Sequence, residues 1–223
     1  MVALALALLL AAPPPGAGPG QRRVLERVVA VVRNPASAAP RPLTLTRLDA
    51  EARVALISQG GTQAAFVTLD SPARRALLQW VIDQMLVADE ASRLKVDDVP
   101  AVELQWAMSA FRLRFADEAT YRRFLATTEL PEEELEAILA RGLRVQRFLD
   151  VRLGRSARVS EDEVSRALAG QGTLAPTATQ REAARSRLAA ERTEPLVNQL
   201  QRDLRSRADI RVLSPELRLG PGR

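Results

Sequence analysis

Two short strand-like runs at opposite ends of an otherwise helical chain constrain this fold more than any other feature. The first is VVAVVRN, Val28 to Asn34. The second is ADIRVL, Ala208 to Leu213, which alternates Ile210 and Val212 with Asp209 and Arg211, the period-two pattern of a half-buried strand. β-Branched residues favour extended backbone, and a buried strand carries N–H and C=O groups that must find partners. The far end of the chain offers the best complement to the first run, and LTL (Leu43 to Leu45) offers a short third strand. The pattern predicts that the two ends of the chain meet in a small sheet.

Everything between reads as helix. Thr46 and Asp49 have capping-box spacing for a helix from Arg47 to about Ser58, closed by Gly60 and Gly61. Ser71 as N-cap and Pro72 at the first helical position open a second helix, in which Leu77, Leu78, Val81, Ile82, Met85, Leu86 and Leu94 keep three-and-four spacing. Asp98 and Pro100 start a third helix, and Tyr121, Phe124 and Leu125 mark one side of a short fourth. Pro131 opens a long helix striped by Leu135, Ile138, Leu139, Val145, Phe148 and Leu149, with Gly142 a tolerated weak point. Ser160 and Glu163 form a capping box, and Gly170 to Thr179 reads as a loop.

Thr179 and Glu182 are the expected cap of the closing helix, residues 180–207, which Pro195 is expected to kink. At about 1.5 Å per residue this helix reaches ~40 Å, enough to return the strand at 208–213 to the first one. Residues 214–223, SPELRLGPGR, are expected to fray. The predicted fold is mainly α: one multi-helix domain over 21–213 with a small sheet pairing the N- and C-terminal strands.

Composition enters as exclusion. The chain has no histidine and no cysteine, which removes thiol nucleophiles, imidazole bases, His or Cys metal sites and disulfides. No GxSxG, P-loop or GxGxxG pattern occurs. The acidic run PEEELE (Pro131 to Glu136) is accounted for by the helix macrodipole. No catalytic residue, metal or cofactor is therefore expected. The net charge is +5, but Lys95 is the only lysine and the arginines alternate with acidic residues, a solvated-face pattern that predicts no nucleic-acid partner. VALALALLLAA (Val2 to Ala12) followed by PPPGAGPG resembles a secretory signal without its basic n-region, so residues 1–20 predict export. The apolar run is shorter than the ~20 residues of a membrane span.

The first strand, the helix ending MLVADEASRLKVDD (Met85 to Asp98), FLATTELPEEELEAIL, ARVSEDEV (Ala157 to Val164) and the closing LAAERTEPLVNQLQRDLRSRADIRVL together resemble the N-terminal domain of SurA-like periplasmic chaperones. Related exported parvulin-type prolyl isomerases share this arrangement, and the substrate-binding region of trigger factor is similar in architecture. The similarity covers about residues 27 to 213. It implies a periplasmic, ATP-independent holdase for unfolded or extended polypeptides, outer-membrane proteins among them.

Two departures stand out. The family's first strand usually ends in a tight Asn-Gly turn, whereas VVRN here runs into PASAAPRP. Where the family commonly inserts parvulin domains of ~100 residues, a size typical of small domains, this chain has only GQGTLAPTAT. The resemblance thus implies the chaperone half without the enzyme half. A holdase needs apolar surface held open, and LQWAMSAFRLRF supplies the candidates Trp106, Met108, Phe111 and Phe115, joined by Met85. Core packing is the competing reading of the same residues. A scaffold for one dedicated partner and a residual prolyl isomerase are the alternative functions.

Overall fold

The computed structural model describes residues 26–35, 37, 39–96, 98–170 and 176–218. The signal-like segment at 1–20, residues 171–175 of the predicted loop and residues 219–223 of the tail lie outside them.

The two ends of the chain pair as their alternation requires. Strand β1 (Val28–Arg33) lies between β2 (Arg41–Thr44) and β3 (Asp209–Val212), antiparallel to both. Val32 faces Ile210 and Ala30 faces Val212, and the Leu213 amide donates to the Val29 carbonyl at 2.8 Å. The register against β2 shifts between Val28 and Ala30. Such an irregularity breaks strict alternation, and Val29 and Ala30 are both buried as a result. β2 begins two residues before the predicted LTL, and Leu45 already belongs to the following helix.

Among the described residues there are seven α-helices: α1 (Leu45–Ser58), α2 (Ser71–Arg93), α3 (Ala101–Arg112), α4 (Glu118–Thr127), α5 (Glu132–Leu153), α6 (Glu161–Ala169) and α7 (Ala178–Arg207). The chain is mainly α with a small antiparallel sheet. Several caps fall one or two residues before the predicted ones. Thr44 caps α1, Asp70 caps α2, and a Thr177–Gln180 capping box replaces the expected Thr179–Glu182 at α7. Asp98 does not cap α3; its carbonyl instead accepts from Arg147 at 2.8 Å. The Ser160–Glu163 box forms as predicted.

The main core lies under the sheet. Val29, Val32 and Leu43 pack with Leu78, Ile82 and Leu86 of α2, Phe148 of α5 and Leu200 and Leu204 of α7. Leu217 joins them from a single 3-10 turn, Pro215–Leu217. The expectation of a frayed tail from residue 214 is thus corrected for 214–218: burying Leu217 and pairing Glu216 with Arg27 at 2.7 Å hold this segment down. A second core gathers Val54 and Ile57 of α1 with Phe111, Phe115, Tyr121, Phe124, Leu135 and Ile138. A third, small cluster joins Val164 and Leu168 of α6 to Ala184 of α7.

In the connection between β1 and β2 the Ser37 amide donates to the Asn34 carbonyl at 2.9 Å, and polar side chains fasten it to α2. The Asn34 side-chain amide donates to Asp89 at 3.1 Å, and Arg41 reaches the same carboxylate oxygen at 2.5 Å. Burial pushes the Asp89 carboxyl above its ordinary value, against the pull of Arg41 and Asn34.

Candidate functional site

An open cleft of about 730 Å³ is bounded by five helices. α5 supplies one long wall: Ile138, Leu139, Gly142, Leu143, Gln146, Leu149, Asp150 and Leu153 recur at three-and-four spacing, so a single helical face is turned into the cleft. Val54, Ala55 and Ser58 of α1, Trp80 and Gln84 of α2, Ala107 and Phe111 of α3, and Thr193 and Val197 of α7 complete the lining. The surface is mostly apolar with a polar fringe that includes two charged side chains, Arg114 and Asp150, the chemistry of a site that holds apolar matter without locking it in place.

Glycine 142 shapes this surface. It lies in the middle of α5, where glycine costs roughly 0.5–1 kcal/mol relative to alanine. A Cβ built there meets nothing within 4 Å. Packing does not demand the missing side chain; its absence widens the cleft.

The sequence-predicted site residues do not form one surface. Phe111, 3% exposed, stacks in an aromatic cluster with Phe115 at 5.6 Å and Phe124 at 6.0 Å between ring centroids, and Phe115 meets Tyr121 at 5.5 Å. Half of the chain's aromatic side chains (five Phe, two Trp and one Tyr in all) sit in this cluster. Phe111 still contributes to the cleft lining, whereas Phe115 is core. Met108 is half-buried against the same cluster. Met85 is buried under the sheet and does not reach the cleft. Trp106 alone of the five is freely exposed, at 70%.

Trp106 is not isolated. Val102, Trp106, Ala110 and Leu113 follow one another along α3 and its C-cap, and all are exposed, Leu113 at 83%. At about 100° per residue, Glu103 falls between Ala110 and the cleft-lining Ala107, so this outer apolar face of α3 is a separate surface, set off from the cleft by a charged side chain. Trp80, Leu143, Leu153 and Val197 escaped the sequence reading. The three-and-four spacing of α5 was the signal that pointed to its face.

Charges near the cleft are mostly tied down. Glu51 of α1 is buried and accepts from Arg141 of α5 at 2.5 Å and from Arg47 at 3.1 Å. Arg147 pairs with Glu103 at 2.7 Å, holding α3 to α5. Burial raises the Tyr121 phenol, whose hydroxyl donates to Glu132 at 3.1 Å while Arg112 lies over its ring. Among the described residues no group of three or more carboxylates is placed to hold a metal ion, and no helix is long and apolar enough to cross a membrane.

No protein-family model matches the chain, and no curated protein matches it.

Proposed function

We propose that the chain is an exported, ATP-independent holdase that shelters extended apolar segments of unfolded polypeptides, outer-membrane proteins among its clients. The observation that carries this reading is the open apolar cleft walled by α5; the exposed Val102–Trp106–Leu113 face of α3 is a second apolar surface. A contiguous apolar surface on the outside of a folded protein marks a place where apolar matter binds. Methionine-free, leucine-rich walls with a glutamine and threonine fringe give area without directional bonds, which suits clients of many sequences. The resemblance of residues 27 to 213 to SurA-like chaperones supports the same reading, as does the signal-like run at 1–20.

The test is aggregation of several unrelated, chemically unfolded proteins followed by light scattering, without nucleotide. A holdase suppresses scattering for most of them near stoichiometric ratio. A scaffold for one dedicated partner protects none. Adding a proline-limited refolding assay separates the third reading, because a residual isomerase accelerates the slow phase and a holdase leaves its rate unchanged.

A further inference from the structure

Two charged side chains line the cleft, Arg114 and Asp150, and neither side chain has an ion pair or hydrogen bond among the described residues. Other charges on the helices that bound the cleft are paired: Arg141 is held by Glu51, Arg147 by Glu103 and Arg74 by Asp49. The two stand at opposite ends. Arg114 follows α3 beside the end of α1, about 4.0 Å from where a Cβ on Gly60 would lie, and the adjoining Phe111 packs in one cluster with Ile138. Asp150 lies twelve residues beyond Ile138 on α5, ~18 Å along the helix at ~1.5 Å per residue.

At that separation the two charges do not neutralise each other, since screening in physiological salt acts over about 8 Å. We infer that the cleft selects extended segments in which a short apolar run lies between an acidic residue, set against Arg114, and a basic residue, set against Asp150. This rests on the polypeptide reading above and adds a charge order to it. An extended chain advances about 3.3 Å per residue, so the ~18 Å span corresponds to about five residues between the charged pair. The apolar run covers Leu139, Gly142, Leu143 and Leu149, and the flanking charges complete the open ends of the cleft.

Trp106→Phe leaves Trp80, which lines the cleft, as the only tryptophan, so its fluorescence reports occupancy. Four capped heptapeptides share one apolar five-residue centre and end in Asp and Arg, two Asp, two Arg or two Gln. At low ionic strength the mixed peptide is expected to bind about fivefold more tightly than the two-Gln peptide, two exposed ion pairs each contributing modestly. The advantage shrinks in high salt. Asp150→Arg is expected to move the preference to the two-Asp peptide, and Arg114→Glu to the two-Arg peptide. Equal binding of the mixed and two-Gln peptides, with a clear Trp80 response to both, overturns the charge order and leaves the cleft as a polypeptide site. No Trp80 response to any of the four overturns the polypeptide reading itself.

Discussion

At the scale of single residues, Glu51 shows how a charge can be structural. It is fully buried, yet it sits on α1 between Leu48, which belongs to the core under the sheet, and Val54, which belongs to the aromatic core. Arg141 holds the matching place on α5, between Val145 and Ile138. The pair bridges the seam between the two cores. Removing one member of a buried pair strands the other charge, so Arg141→Met is expected to cost about 3 kcal/mol in urea unfolding, with Arg47 compensating only in part. Glu51→Leu combined with Arg141→Met is expected to recover most of that loss; equal loss in the double variant would show that the helices, not the charge, are at fault. The sequence shows Arg47 and Glu51 as an ordinary one-turn pair, and the partner 90 positions away leaves no local trace.

Glu163 is legible in part, because its capping partner Ser160 is three residues away while Arg192 reaches it from 29 positions off. The Ser160 backbone N–H, then Arg192, then the Ser160 hydroxyl draw its carboxyl down from 4.5 to about 2. A depressed carboxyl stabilises the fold above its unfolded value and loses that contribution as pH falls through its folded one. The protection of α6 amides, taken relative to their intrinsic exchange at each pH, is therefore expected to hold near pH 5 and to fall as pH drops from about 4.5 towards 2. Glu163→Gln should flatten that step; an unchanged step would assign it to other groups.

At the scale of elements, helix positions follow from apolar spacing, but starts are decided by competition between neighbouring caps. Thr177 with Gln180 and Thr179 with Glu182 are both competent boxes. The earlier one forms and adds two residues to α7. At α2, Asp70 accepts from the Ala73 amide at 2.8 Å, and Ser71 becomes the first helical residue. The strands were legible by contrast, because β1 had only one distant complement with the right alternation. What alternation could not show is the turn after β3, where Leu217 is spaced to drop into the core. Burying such a side chain contributes about 1.5–3 kcal/mol. Leu217→Ala is expected to lower stability by about 2–4 kcal/mol, and truncation after Ala208 to lower it further and promote aggregation, since β1 is then left with one open edge. An unchanged thermal midpoint in the truncated chain would show that β1 does not depend on β3.

At the scale of the whole molecule, the cleft arises from the relative placement of five helices, and no single stretch of sequence encodes it. The aromatic run of α3 drew the eye to Trp106, Phe111 and Phe115, yet burial claims the two phenylalanines because the aromatic core needs them. Gly142 gave the better clue, a helix-weakening residue in the middle of an otherwise regular stripe. Its effect on stability and on function can be separated. Gly142→Ala adds a Cβ into open space and removes the entropic penalty of a helical glycine, so it is expected to raise stability by about 0.5–1 kcal/mol while leaving client protection intact. Gly142→Trp projects an indole from the same wall across Leu139, Leu143 and Gln146. It covers apolar surface that is otherwise exposed, so the fold should be no less stable than wild type, whereas protection of unfolded clients should fall severalfold. Thermal unfolding and light scattering on the same samples give both readouts. Full protection by a stably folded Gly142→Trp protein would place the client elsewhere, with the exposed α3 face around Trp106 and Leu113 as the next surface to substitute.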